Sequence, residues 1–335
     1  MKTKATAYSI LDLVLVSEGH TLKQTFGNTL KLAQHAETYG YKRYWLAEHH
    51  NAENIASNAT SILIGYVAQG TKTIRVGSGG IMLPNHSPLI VAEQFGTLGV
   101  LYPNRIDLGL GRAPGTDRET AEAIRSDFMQ AAHSFPNEVE KIQTYFSIEN
   151  EDAQIRATVA EGVDVPLCIL GSSTDSAHLA AKKGLPYAFA SHFATTHLWR
   201  ALTTYRQEFK PSKILEEPYV MAGVNIIIAE TDEEAQRLAT SLIRMIVGIF
   251  TGRRAKVQPP TEMTEDLKDI MRNPQVSEML KYAFIGTKAS VKNQIISFLA
   301  LTKADELIAV AHIYDIDSRI RSYELFAEIM NELNE

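Results

Sequence analysis

Apolar residues in this chain fall into two alternating patterns. Short runs without polar alternation, at residues 44–47, 74–78, 165–170, 187–190 and 306–311, have the length and composition of strands buried on both faces. Between them, apolar positions recur at helical spacing. Leu22, Phe26, Leu30, Ala33 and Ala36 mark a helix over 22–39, and Ile62, Leu63, Tyr66 and Val67 share one face of a helix over 58–69. Gly40 follows the first helix as a C-terminal glycine, and Ser87 and Pro88 open another helix as N-cap and first helical residue. With further strands at 5–13, 105–109 and 219–229, eight strand–helix units follow one another without a break in composition. The expected fold is therefore α/β, a (β/α)8 TIM barrel formed as a single domain over residues 1–335. Residues 251–285 interrupt the rhythm with Pro259, Pro260, Pro274 and many charges, and are expected to form a lid-like insertion after the seventh strand.

Composition narrows the function classes. At 45% apolar and 21% charged residues, the chain resembles an ordinary soluble globular protein. Its net charge of −6, with only the short basic cluster Arg253, Arg254 and Lys256, argues against a nucleic-acid surface. The single cysteine, Cys168, lies in an apolar strand-like run, which suits a core thiol in a reducing compartment better than a nucleophile. Lys2 and Lys4 precede an apolar stretch, as in a secretory signal, but Asp12 interrupts it and no small-residue cleavage site follows. No window approaches the ~18 apolar residues of a membrane span. A cytoplasmic protein is expected.

Candidate chemistry gathers where the predicted strands end. The run YWLAEHH, residues 44–50, stops on Glu48, His49 and His50, and ligands of parallel α/β proteins bind at the carboxyl ends of strands. Other strand ends carry Gly79 and Gly80, Gly111 and Arg112, Gly171, Ser172 and Ser173, and His192. The glycine pair either lets a flat ligand approach closely or marks a bulge. Arg112, in LGLGRAPG, has the planar fork that suits phosphate or carboxylate, although no dinucleotide fingerprint is completed. GSST before a helix is either an anion site or a plain N-cap. Adjacent His49 and His50 lack the HExxH spacing of zinc helices. Taken alone, these residues leave open metal ligation, acid/base or hydrogen-bonding work, and a surface loop in which Glu48 is simply salt-linked.

The order and spacing of YWLAEHH, VGSGGIMLPNHSPLIVAEQFGTL, RIDLGLGRAPGTD and LGSSTDSAHLAA resemble the bacterial luciferase-like family of flavin-dependent monooxygenases. The resemblance covers essentially the whole chain and is closest over residues 8–117. It implies a barrel that binds reduced FMN at the carboxyl ends of its strands, or a deazaflavin in some relatives. The family's non-proline cis peptide falls on Gly79-Gly80, and its catalytic histidine falls on His49, with Glu48 and His50 beside it. Cofactor contacts are implied at Gly79, Gly80, Gly111, Arg112, Gly171, Ser172, Ser173 and Ser176, with Arg112 and the 171–173 loop on the phosphate. Gly111 stands where luciferases have a reactive cysteine, and Gly171 where they have a glutamate; both departures count against light emission and a long-lived peroxide. The implied reaction oxidises a small organic substrate with O2 through a C4a-peroxyflavin. No NAD(P)H-binding fingerprint is visible, so the reduced FMN would come from a separate NAD(P)H:flavin reductase. A deazaflavin-dependent oxidoreductase and an inactive flavin-binding protein are the alternatives. A homodimer packed through helices of the second and third units is also implied.

Overall fold

The computed structural model describes residues 5–253 and 255–335; Lys2, Lys4 and Arg254 lie outside the described residues. Nine parallel strands form one sheet: β1 (Ala7–Asp12), β2 (Arg43–Leu46), β3 (Arg75–Met82), β4 (Ile106–Gly111), β5 (Leu167–Gly171), β6 (Tyr187–Phe189), β7 (Val220–Ala229), β8 (Ala283–Thr287) and β9 (Glu306–Val310). Strands β1 to β7 pair in sequence order, and β9 pairs with both β7 and β1, which closes an eight-stranded barrel. The fold is a TIM barrel. All eight strands read from the apolar runs are present.

The ninth strand, β8, was not foreseen. It pairs with residues Asn225 to Ala229, the second half of β7, whereas the first half of β7 pairs with β6 and β9. Strand β7 thus runs past the ends of its barrel neighbours and carries the following chain over the carboxyl rim. The segment expected to be an insertion over 251–285 is more regular than its prolines suggested. It holds helices Glu265–Arg272 and Pro274–Leu280 and the start of β8. A five-residue strand with lysines close on either side has too weak a pattern to read alone; pairing with β7 defines it.

Two helix faces also differ from expectation. Helix Leu22–Thr38 buries Thr25, Thr29, Leu32, Ala33 and Ala36, while Leu22 is exposed. The face is turned toward small residues because Asp12, buried at the end of β1, accepts a hydrogen bond from the Thr29 hydroxyl at 2.9 Å. Helix Thr60–Gly70 buries Leu63, Ile64, Val67 and Ala68, but Ile62 is 72% exposed and Tyr66 is also exposed. Three consecutive apolar residues, Ile62 to Ile64, leave the phase of the stripe undetermined in the sequence. Among the described residues no helix is long and apolar enough to cross a membrane.

The barrel interior is layered. Leu11, Trp45, Cys168, Ala188, Met221, Ile308 and Val310 form an apolar middle layer. Cys168 is 3% exposed and burial pushes its thiol well above the ordinary range, in keeping with a core thiol. Below this layer, at the amino ends of the strands, charges are buried together. Arg43 donates to Glu306 and to Asp107, each at 2.8 Å, and Arg75 donates to Asp107 at 2.8 Å. Trp45 Nε1 donates to Asp107 at 3.0 Å, and the Tyr219 and Ser9 hydroxyls donate to Glu306. Burial works against the charge of Arg43, but Glu306 and Asp107 more than offset it and hold its pKa above the ordinary value. Removing one member of such a group leaves the others as buried charges without a partner. Arg43→Met should therefore lower the unfolding free energy by about 3–5 kcal/mol, measured by urea denaturation; a loss below about 1 kcal/mol would show that the network bears little of the fold.

Candidate active site

Glu48 leaves β2 into the carboxyl rim, yet its carboxylate is only 1% exposed. Every donor that keeps it there is identifiable. Oε2 accepts from the Met82 backbone N–H at 2.9 Å, and Oε1 accepts from Asn85 Nδ2 at 3.0 Å and from His50 Nε2 and His86 Nε2 at 2.9 Å each. Burial raises the carboxyl pKa, but the hydrogen bonds from His50, His86 and Asn85 outweigh it, and the group is lowered from 4.5 to about 2. An ionised carboxylate only accepts, so both imidazoles carry a proton on Nε2. Glu48 is thus a buried anchor between its own loop and the segment after β3. His50 is its partner, not a surface residue.

His49 faces the opposite way. Its Nδ1 lies 3.1 Å from the Gly115 carbonyl, which also accepts the His50 backbone N–H at 3.2 Å. A carbonyl cannot donate, so His49 holds a proton on Nδ1, and in the neutral ring Nε2 is the basic nitrogen. Gly115 has φ +64°, and a Cβ there would stand 2.6 Å from the Glu48 carbonyl oxygen. Only glycine lets the loop after β4 dock this closely.

Glycines allow close contacts inside the barrel. Gly77, Gly79, Gly109 and Gly223 would each place a Cβ within 2.7 Å of a neighbour. Gly79-Gly80 is cis. Between Ser78 and Ile81, β3 advances three residues while β4 advances two, so the glycine pair lies in a bulge. Opposite Gly223, at 2.5 Å from its missing Cβ, lies His192 Nδ1. Burial, reinforced by nearby His49, lowers the His192 pKa to about 4; burial and His192 lower that of His312, which follows β9, to about 3. Both rings are neutral near pH 7, so His192 and His312 add polarity but no charge to the mouth of the barrel. Among the described residues no group of three or more His, Cys, Asp or Glu is placed to hold a metal ion.

Across the rim, the ends of β4 and β5 bring Arg112 to the loop of Gly171, Ser172 and Ser173. Arg112 Nη2 is 3.1 Å from Asp175 Oδ2, in the first turn of helix Thr174–Lys183. Ser173 is the N-cap, but its side chain makes no capping hydrogen bond. The Ser176 hydroxyl is engaged with the Ser173 carbonyl at 2.9 Å and Tyr187 at 3.0 Å. It lies 1.9 Å from where a Gly171 Cβ would stand, so it props the loop from behind.

The expected residues thus form two groups, Glu48, His49 and His50 against the 82–86 segment, and Arg112 with the 171–176 loop. The sequence reading missed Asn85, His86, Gly115 and His312. His312 follows an apolar strand run as His192 does, so the strand-end rule reaches it; His86 and Gly115 act through contacts that only the fold creates. The depressed pKa of Glu48 carries a pH signature. Stabilisation by its ionised form is complete above about pH 4.5 and is lost as pH falls toward about 2. Glu48→Gln should cost about 3 kcal/mol at pH 7, with the deficit shrinking steadily below pH 4.5 in thermal melts; a pH-independent deficit would rule out the charge as its source.

The Luciferase-like monooxygenase family model matches residues 7–302. Among curated proteins, the uncharacterized protein YvbT of Bacillus subtilis (strain 168) is 47% identical, covering 97% of this chain and 97% of its own. A luciferase-like monooxygenase of Escherichia coli (strain K12) is 44% identical over 99% of each chain. The crystal structure of apo-MsnO8 matches with a TM-score of 0.88 at 32% identity, over 97% of this chain and 98% of that one. The oxygenating constituent of 3,6-diketocamphane monooxygenase from Pseudomonas putida, in complex with FMN, shares the fold at a TM-score of 0.70 and 19% identity, over 97% and 98% of the two chains. With a barrel closed in the same way and a family match running from β1 to the helix before β9, this chain belongs to the luciferase-like monooxygenase family.

Proposed function

We propose that the protein is an FMN-dependent monooxygenase that takes reduced FMN from a separate NAD(P)H:flavin reductase and uses O2 to oxidise a small organic substrate. Family members bind FMN or F420, and the family uses reduced flavin and O2. The observation that carries the FMN reading is the placement of Arg112 beside the N-terminus of helix Thr174–Lys183, whose first-turn N–H groups have no side-chain cap. A guanidinium next to such a helix start binds a terminal phosphate, with the helix dipole adding to the charge.

The remaining residues fit a flavin. The glycines at 79, 80 and 111 would admit a flat ring system at the strand ends, and Ser172 and Ser173 would hold the phosphate. Reduced flavin supplies the electrons that activate O2. The protein's part is to position, to exclude water and to move a proton. His49 is the proton-transfer residue, with Nδ1 bound to Gly115 and Nε2 as the basic nitrogen. Glu48 and His50 fix the loop that aims it. The neutral rings of His192 and His312 keep the pocket polar without a competing cation. The chain over the rim, residues 251–285, shields the site from water.

Anaerobic titration with reduced FMN and with reduced F420 discriminates the cofactors, and preference for F420 would replace this reading with hydride transfer. Arg112→Ala should weaken FMN binding about 10–100-fold while leaving riboflavin nearly unchanged; equal losses would defeat the phosphate role. His49→Ala should bind FMN as the wild type does and lower substrate-dependent oxygen consumption by about 10²–10⁴. Retention of full turnover would remove His49 from the mechanism.

A further inference from the structure

One imidazole at the mouth of the barrel is fixed in place without a hydrogen bond of its own. His192 follows β6, and the loop that carries it is bonded on several sides. The Ala190 N–H donates to the Gly171 carbonyl at 2.9 Å, the Ser191 hydroxyl to the Gly223 carbonyl at 2.6 Å, and Asn225 Nδ2 to the His192 carbonyl at 2.5 Å. The buried Thr195 hydroxyl donates to the Glu278 carbonyl at 3.0 Å, in helix Pro274–Leu280. Within this frame the ring stands where Gly223 lacks a Cβ. Gly223 is two residues beyond Met221 of the apolar middle layer, so that place is on the inner wall of the barrel.

The His192 Nδ1 is enclosed and has no hydrogen-bond partner, while the residue as a whole stays partly exposed, so the ring opens through its Nε2 edge. A buried N–H without an acceptor is rarer than a buried lone pair without a donor, and the neutral ring therefore carries its proton on Nε2. A polar group held this firmly and left unused by the protein is one that a ligand completes. His49, which holds its own proton on Nδ1 and has Nε2 as its basic nitrogen, is near enough for its charge to act on His192. His312 is also near, buried and neutral, and the charges beside it, Asp12 and Arg319, are bonded to each other at 2.7 Å. Phe193 packs edge-on against His192, with ring centroids 4.9 Å apart, and is 50% exposed. A base, an N–H donor and an aromatic surface thus stand together.

We infer that His49 and His192 hold the hydroxyl of a phenolic substrate whose ring lies against Phe193. His49 Nε2 takes the hydroxyl proton, the electron pair stays on the oxygen, and the His192 Nε2–H donates to that oxygen. That the ionised phenol is then oxidised rests on the monooxygenase reading; its binding and ionisation do not.

The test uses the flavin-free, full-length protein with 4-nitrophenol and 4-nitroanisole, at a pH one unit below the pKa of the free phenol. The phenol should bind saturably at one site per chain, at least tenfold more tightly than the anisole, and the bound phenol should show the visible absorption band of its ionised form. His192→Leu should lose at least tenfold in affinity for the phenol and less than twofold for the anisole. Because this change removes a buried nitrogen without a partner, the melting temperature should not fall. His192→Gln, which keeps an N–H, should bind the phenol at least threefold more tightly than His192→Leu. His49→Ala should bind the phenol without the ionised band, and Phe193→Ala should weaken both compounds by the same factor. Inorganic phosphate, which would occupy Arg112, should not displace the phenol. Equal binding of phenol and anisole, an ionised band that survives in His49→Ala, wild-type affinity in His192→Leu or Phe193→Ala, or displacement by phosphate would each overturn the inference. Because neither flavin nor oxygen is present, a protein that ionises the phenol but never consumes oxygen with it and reduced FMN fails the monooxygenase reading and keeps the site. Oxygen consumption with other substrates and no binding of the phenol does the reverse.

Discussion

Closing eight parallel strands into a barrel creates an interior that side chains must fill, and this chain fills its two ends in opposite ways. At the amino end, Arg43 reaches across to Glu306 on β9 and Asp107 on β4, so three strands distant in sequence are joined by charge-assisted hydrogen bonds. Trp45, fully buried, lies on top of this group and bonds to it through its indole N–H. Toward the carboxyl end glycines let the chain close in on its neighbours, Gly79 against Leu11 and Trp45 and Gly223 against His192. Charge pairs hold one end, and close contacts at glycine shape the other.

The rim is then organised by one buried carboxylate. An ionised Glu48 is stable without solvent only if its lone pairs are all engaged, and the donors come from the Met82 N–H, Asn85, His86 and His50. The segment after β3 and the loop after β2 are therefore held as one unit. His49 lies inside that unit, its ring on Gly115 and its backbone carbonyl bonded to Asn58. Its direction is a consequence of bonds made by its neighbours, and this preorganisation would suit the proton transfer proposed for it.

The extension of β7 beyond the barrel has a comparable reach. Strand β8 pairs with the half of β7 that no barrel strand covers, helix Asp232–Thr251 packs on β7 and β8, and the chain after it meets the loop after β1 through Val257. Cationic side chains appear at two places on this rim, Arg112 beside the helix at 174 and the Arg253 and Lys256 pair, in a chain of net negative charge.

The barrel was legible in the sequence because strands buried on both faces must be apolar throughout, and eight such runs separated by helical periodicity admit few other architectures. The strand ends named Glu48, His49, His50, Arg112 and the 171–173 loop for the same reason, since polar residues that interrupt such runs fall on one rim. Neither the phase of helix Thr60–Gly70 nor strand β8 was readable, because an unbroken apolar stretch has no phase and five residues of weak pattern acquire meaning only from a partner strand. The roles within the site were likewise undetermined. Glu48 reads in sequence as a residue available for chemistry, and only the folded chain, by bringing Met82, Asn85 and His86 to it from more than thirty residues away, turns it into an anchor. Hydrophobic periodicity is a local property and is written along the chain; the satisfaction of a buried charge depends on which distant groups meet it, and that is decided only when the barrel closes.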